Sequence, residues 1–577
     1  VLCFQPIEFN RTGDNSRKLM LDMRIDNVVI IDGAGSPAFP GSLGIKNGRI
    51  EAVGKVEASA ATVIDGEGLT IMPGIIDNHT HYDAQITWDA YVSPSPELGV
   101  TTLLMGNCGF TIAPCRPNDR EITMRNLTQV EGMSMDALAA GIDWGFETFP
   151  QYLDMLEQKG VGPNVGCYVG HSSVRTYVLG TDASKRAATP EEIEQMREIV
   201  SEAIDAGACG FATTRSYQHN GEKGIPMPSR LANDDELLAL SGVLKEKGRG
   251  TLMMTKASDT PMESIERLCA AAGRPYIVAA LLHSALDPQR TFNDLNEISN
   301  ARSRGNLMVG AVSPCPLNME FTFRSPYPLE GFKVWSPLMS LEEDDYKSAL
   351  ANHSFRESFL AELNDGRVHV FSGDWDKVHV AQVATEENLS MEGCSIAELA
   401  EGCGKDPFDF MLDLALSENL DTVFTATMMN SDEEAIGKMM LDESSIISLS
   451  DAGAHLTFLC DAGFGLHVLG YWVRDQKLMS LEAAAKKLTF DNAKLFGIKD
   501  RGEIRVGAWA DLLLFDPKTV GRGRSRRLYD LPSGASRLST PSVGVHGVWI
   551  NGHRVADSKG MLADLPLAGR VIREYNP

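Results

Sequence analysis

An apolar run, Ile75-Ile76-Asp77-Asn78, leads into His79-Thr80-His81-Tyr82-Asp83. On a strand, residues i and i+2 share a face. The imidazoles of His79 and His81 therefore point the same way and can grip one metal ion through neutral ring nitrogens. Two structural histidines are the plainer alternative. A second apolar run, Thr101-Thr102-Leu103-Leu104-Met105, ends at Gly106-Asn107-Cys108-Gly109. A thiolate at Cys108 suits zinc, since soft sulfur is a good ligand for it, whereas most buried cysteines are inert. A third run, 445–451, closes on Asp451. Its carboxylate could hold a metal, take a proton from water, or do both; capping the next helix is the competing role.

Such groups act together only on a scaffold that gathers strand ends. Beginning with an entry at 71–77, apolar runs recur at 101–106, 164–171, 208–215, 250–257, 276–283, 307–313 and 445–451. Amphipathic segments such as 190–207 and 233–248 separate them. Continuous apolar strands alternating with helices indicate parallel strands buried on both faces. About eight of them suit an α/β fold of the TIM-like (β/α)8 kind; a doubly wound sheet is the alternative, but no GxGxxG follows the first strand. Residues 23–72 and 502–577 instead alternate β-branched residues with turn signals, including Asn47-Gly48 and Asn551-Gly552, the dipeptide of tight hairpins. The expected organisation is an N-terminal extension (1–22), a small β-sandwich domain built from both termini (23–72 and 502–577), and a barrel (73–501). An insertion at about 285–440 would lie over the barrel mouth.

Composition limits the partners. The chain has 577 residues, 43% hydrophobic and 23% charged, which excludes a disordered or disulfide-scaffold protein. A net charge of −25 disfavours nucleic acid and anionic membranes. The first twenty residues hold no apolar run of signal h-region length, and no later stretch approaches that of a membrane span. Ten scattered cysteines without tight pairs suggest a reducing, cytoplasmic setting. A homo-oligomer is left open.

HTHYD (79–83), GVTTLLMGNCGFTIAP (99–114), GHSSVR (170–175), SDAGAH (450–455), WVRD (472–475) and LTFDNAKLFGIKDRGEIRVGAWADLLLFDP (488–517) together resemble the D-aminoacylase (N-acyl-D-amino-acid deacylase) family, a branch of the metal-dependent amidohydrolases. The resemblance spans about 23–575. It implies a TIM-like barrel, a two-part β-domain and zinc-dependent hydrolysis of an amide. By motif, His79, His81 and Cys108 would be metal ligands, Cys108 replacing a bridging carboxylated lysine, and Asp451 both ligand and general base. His171, in GHSSVR, would bond the scissile carbonyl or organise the site; a satisfied buried histidine is the alternative.

The chain departs from that pattern in two strands. The family's fifth strand carries a ligand histidine in ATHxR; here it reads Leu252-Met253-Met254-Thr255-Lys256. The sixth ends in HISHxK; here His283 falls about three positions late. One divalent ion is therefore favoured over two. Lys256 as a carboxylated bridge, His283 by a register shift and His455 as support behind Asp451 are secondary candidates, each with an ordinary structural alternative. The family also holds its substrate carboxylate with an Arg after the last strand and a Lys after the sixth-strand histidine. Here 452–473 contains neither cation, and Ser284-Ala285 follow His283. The resulting expectation is hydrolysis of a C–N bond in a small-molecule amide. A cyclic amide or ureide hydrolase or a deaminase on the same barrel, and a metal-depleted binding or scaffold protein, are the alternatives.

Overall fold

The computed structural model describes residues 20–367, 369–457 and 459–575; the remainder of the expected extension, 1–19, lies outside them. Eight strands form one parallel sheet: β1 (Ile75–Thr80), β2 (Val100–Met105), β3 (Asn164–Gly170), β4 (Gly210–Thr214), β5 (Thr251–Thr255), β6 (Tyr276–Leu281), β7 (Met308–Val312) and β8 (Ser445–Ile447). Each pairs in parallel with the next. Almost every strand residue is buried, as expected of strands covered on both faces. The helices between them carry their own start and stop signals. In Pro190–Ala206, Thr189 and Glu192 form a capping box, proline opens the helix, and Gly207 ends it at φ +109°. Its buried residues, Met196, Val200, Ala203 and Ile204, recur at helical spacing and face the barrel.

The sheet closes on itself by an unusual seam. β8 has only three residues and pairs with β7. The β8–β1 join rests on one bridge, Thr80 to Ala452, in which the His81 N–H donates to the Ala452 carbonyl at 2.8 Å. Side chains supply the rest. Asn78 Nδ2 donates to the Ile447 carbonyl (3.0 Å) and to Asn492 Oδ1 (2.9 Å), and Asn492 Nδ2 reaches the Ile76 carbonyl (3.1 Å). Ser448 Oγ bonds Asn78, and Ser450 Oγ donates to the His79 carbonyl at 2.9 Å. Backbones approach closely there: at Gly453, φ +89°, a Cβ would meet the His81 carbonyl carbon at 2.8 Å.

Strands from both ends of the chain make a second, nine-stranded sheet. Leu512–Phe515 runs antiparallel between Thr70–Pro73 and Val545–Ile550. Leu21–Ile30 continues the sheet beyond Thr70–Pro73, so residues 21–22 belong to a strand and not to an extension. Asn47-Gly48 and Asn551-Gly552 both have two successive positive φ angles, as a type I′ turn requires.

The expected insertion at about 285–440 begins too early. Residues 290–312 hold helix Arg290–Ser303 and β7, an ordinary barrel unit. The helix reads as loop because only Thr291, Leu295, Ile298 and Ala301 are buried among many polar residues. The true excursion lies between β7 and β8. It has a three-stranded antiparallel sheet, with Val423–Met429 between Leu317–Phe321 and Val378–Gln382. An aromatic core that includes Phe323, Trp335, Phe359 and Phe424 is its own. No described helix is long and apolar enough to cross a membrane.

Candidate metal centre

Strand ends bring three donors together. His79 and His81 leave the end of β1 on one face, and Cys108 follows β2 in a left-handed backbone conformation, φ +57°. One donor atom from each lies within 4.8 Å of the other two. Cys108 Sγ is 3.6 Å from His79 Nε2 and 4.0 Å from His81 Nε2. Across the seam, Asp451 Oδ1 stands 3.0 Å from His79 Nε2 and 3.7 Å from His81 Nε2. Asp451 is itself left-handed (φ +45°), with Leu449 (φ +64°) and His455 (φ +55°) beside it. Strain of this kind concentrates where side chains must be aimed. β5 backs the sulfur: Thr255 Oγ1 is 3.1 Å from Cys108 Sγ, and the Cys108 N–H donates to Met253 Sδ at 3.3 Å.

The four groups shift one another strongly. Burial opposes charge on His79, yet Asp451 and Cys108 outweigh it and push the imidazole up to about 9. Burial likewise opposes charge on His81, but Glu131 and then Asp451 hold it well above the usual histidine range. Against the same desolvation, the imidazoles lower the Cys108 thiol and keep the Asp451 carboxyl far below its normal value.

Three further residues reach this small cavity of about 60 Å³: Glu131 and His219, which sequence reasoning missed, and His455, expected as support for Asp451. Glu131, at the end of helix Arg120–Val130, places Oε1 3.2 Å from His81 Nδ1. A carboxylate there favours His81 with Nδ1 protonated and Nε2 free toward the cluster. Its place is fixed by backbone: the Glu131 N–H bonds the Leu127 carbonyl (3.0 Å), and its own carbonyl accepts from Leu456 N–H (3.2 Å). His219, five residues beyond β4, accepts or donates at Nδ1 with Thr214 Oγ1 (2.6 Å) and packs edge-on to Phe110. His455 lines the cavity, its ring 5.4 Å from that of Tyr327, which the excursion delivers. No motif marks Glu131 or His219. The available signal was position alone, since loops after barrel strands carry such groups.

The other candidates lie elsewhere. His171 is fully buried away from the cavity, between Thr213 Oγ1 (2.8 Å) and Glu236 Oε1 (2.7 Å); Arg175 completes that cluster. Met253 and Thr255 point to the cavity side of β5, so Lys256, next in the alternation, turns outward and pairs with Asp294 at 2.9 Å. It is not placed to bridge metals. His283 follows the end of β6, its backbone tied to Asn430 and its ring 6.4 Å from Phe292.

A family model described as "Amidohydrolase family" matches residues 62–312 and 376–556, its gap falling in the excursion between β7 and β8. N-acyl-D-aspartate deacylase of Alcaligenes xylosoxydans xylosoxydans is 27% identical over 558 residues, covering 96% of this chain and 95% of that one. D-aminoacylase of the same organism is 27% identical, covering 96% and 97%. Among solved structures, a D-aminoacylase superposes with a TM-score of 0.66 at 23% identity, over 96% of this chain and all of that one. N-acyl-D-glutamate deacylase of Bordetella bronchiseptica, solved with zinc and a phosphonate mimic of the tetrahedral intermediate, gives 0.64 at 23%, with the same coverage.

Proposed function

The chain belongs to the amidohydrolase family, and from that premise we propose that it is a zinc-dependent deacylase cleaving the amide C–N bond of an N-acylated small molecule. The observation that carries the reading is the convergence of His79, His81, Cys108 and Asp451 at the strand ends of one barrel. Two imidazoles, a thiolate and a carboxylate fit zinc. His79, His81 and Cys108 would hold the ion, with Asp451 as further ligand. When bound, zinc would supply Lewis acidity toward a carbonyl and a water.

The chain's own residues do the remainder. The Glu131 carboxylate, 3.2 Å from His81 Nδ1, favours the tautomer that leaves Nε2 free toward the cluster. Asp451 accepts the proton of the attacking water and returns it to the leaving amine nitrogen. Phe110, Leu449 and the Tyr327 face of the excursion limit access of bulk water. His171 acts as a buried brace joining β3, β4 and the helix that carries Glu236. One ion per chain is favoured, because His79, His81 and Cys108 are the only group of three or more close donors among the described residues. A cytoplasmic site of action is part of the same reading.

Elemental analysis of protein purified without added metal, together with an N-acyl amine panel, tests this. About one zinc per chain and zinc-dependent acid release are expected. Protein without metal and without hydrolysis after zinc loading would favour the scaffold alternative.

A further inference from the structure

The cavity around the cluster contains acid and lacks a permanent cation. Among the described residues lining it there is no lysine and no arginine. Three acidic side chains face into it: Cys108, Asp451 and Glu131. Glu131 is 2% exposed, and neither carboxylate oxygen finds a well-formed hydrogen bond; Oε1 lies 3.2 Å from His81 Nδ1.

Several cations of the barrel and the excursion are paired with carboxylates. Lys256 pairs with Asp294 (2.9 Å), Arg522 with Asp461, Arg527 with Glu320, and Arg474 with Asp475 (2.7 Å). Arg324 is spent on Asp421 (2.6 Å) at the surface of the excursion. Arg230, behind His219, donates to that residue's carbonyl at 3.2 Å and does not line the cavity. Arg290 does not line it either. The excursion adds a further buried acid, Glu330, against Gln129. An entering carboxylate would meet like charge in a buried site, with no guanidinium or ammonium to receive it.

We propose that the substrate carries no free carboxylate beside the scissile amide: the class is the N-acylated amine or N-acyl amino-acid amide, neutral or cationic on its amine side. This rests on the deacylase reading and narrows it, away from the acidic N-acyl amino acids for which two of the chain's relatives are named.

The test uses the zinc-loaded full chain and matched pairs of N-acyl-D-leucine and N-acyl-D-leucinamide, with the L series alongside, bearing acetyl, hexanoyl and benzoyl groups. Release of the carboxylic acid from the acyl end is measured, so that loss of ammonia from the leucinamide is not counted. A kcat/KM at least tenfold higher for the amide is expected. Glu131→Gln should narrow that ratio, and because the ratio is taken within one protein, altered zinc occupancy cancels. Equal or greater kcat/KM for the free acid overturns the inference and leaves the deacylase reading standing. Background rates on every pair would instead bring down the deacylase reading, and this inference with it.

Discussion

Asp451 shares its carboxylate between two imidazoles from a strand about 370 positions earlier. Replacing it by asparagine keeps the shape and removes the ability to take a proton. Asp451→Asn should lower turnover by ~10²–10⁴-fold while thermal melting stays cooperative; near-normal activity would remove Asp451 from the base role. Residues with a local rule behind them were legible. His79 and His81 follow from the period of two, and Cys108 and Asp451 from their places at the ends of apolar runs. Lys256 stayed a candidate because alternation alone does not say which face of β5 looks inward; its pairing with Asp294 does. His171 misleads because a histidine just past a barrel strand resembles a site residue, while its partner Glu236 sits 65 positions on in another helix. Glu131 was illegible: no spacing relates a helix end to a strand end when only tertiary packing joins them.

The excursion between β7 and β8 is the element most open to chemical test. Its Glu330 is 4% exposed, and burial pushes its carboxyl up to about 7 from 4.5. Between those values the unfolded chain loses the proton and the folded chain keeps it, so this group's contribution to stability falls as pH rises and levels off above 7. Glu330→Gln should therefore stabilise little at pH 5 and by about 1–3 kcal/mol at pH 8. Thermal melts of both proteins across that range read it, and parallel pH profiles would refute it. Asp77 and Asp83, also raised to about 7 by burial, act in the same direction. At this scale the barrel strands were readable because burial on both faces leaves an unbroken apolar run. The edges of the excursion were not, since Arg290–Ser303 buries too few apolar residues to declare itself a helix.

For the molecule as a whole, zinc should act as a stabilising ligand. A donor set assembled from β1, the β2 loop and the β8 loop exists only in the folded barrel, so free zinc at 100 times its dissociation constant should add about 2.7 kcal/mol. A melting temperature that rises with zinc, and falls back with chelator, checks this; a melting temperature indifferent to both would mean that the cluster does not bind the ion tightly. The same assembly has a consequence for synthesis. The seam that closes β8 on β1 ties Asn78 to Ile447 and Asn492, and His81 to Ala452. A ribosome must therefore add some 370 residues beyond His81, as far as Ala452, before β1 has its second neighbour. Until then one flank of β1 is an unpaired edge, and its two histidines lack Asp451. Metal delivered to the nascent chain would find only part of its ligand set. The fourth donor arrives only with the β8 loop, and any messenger truncated before that point encodes an open sheet with an exposed strand edge.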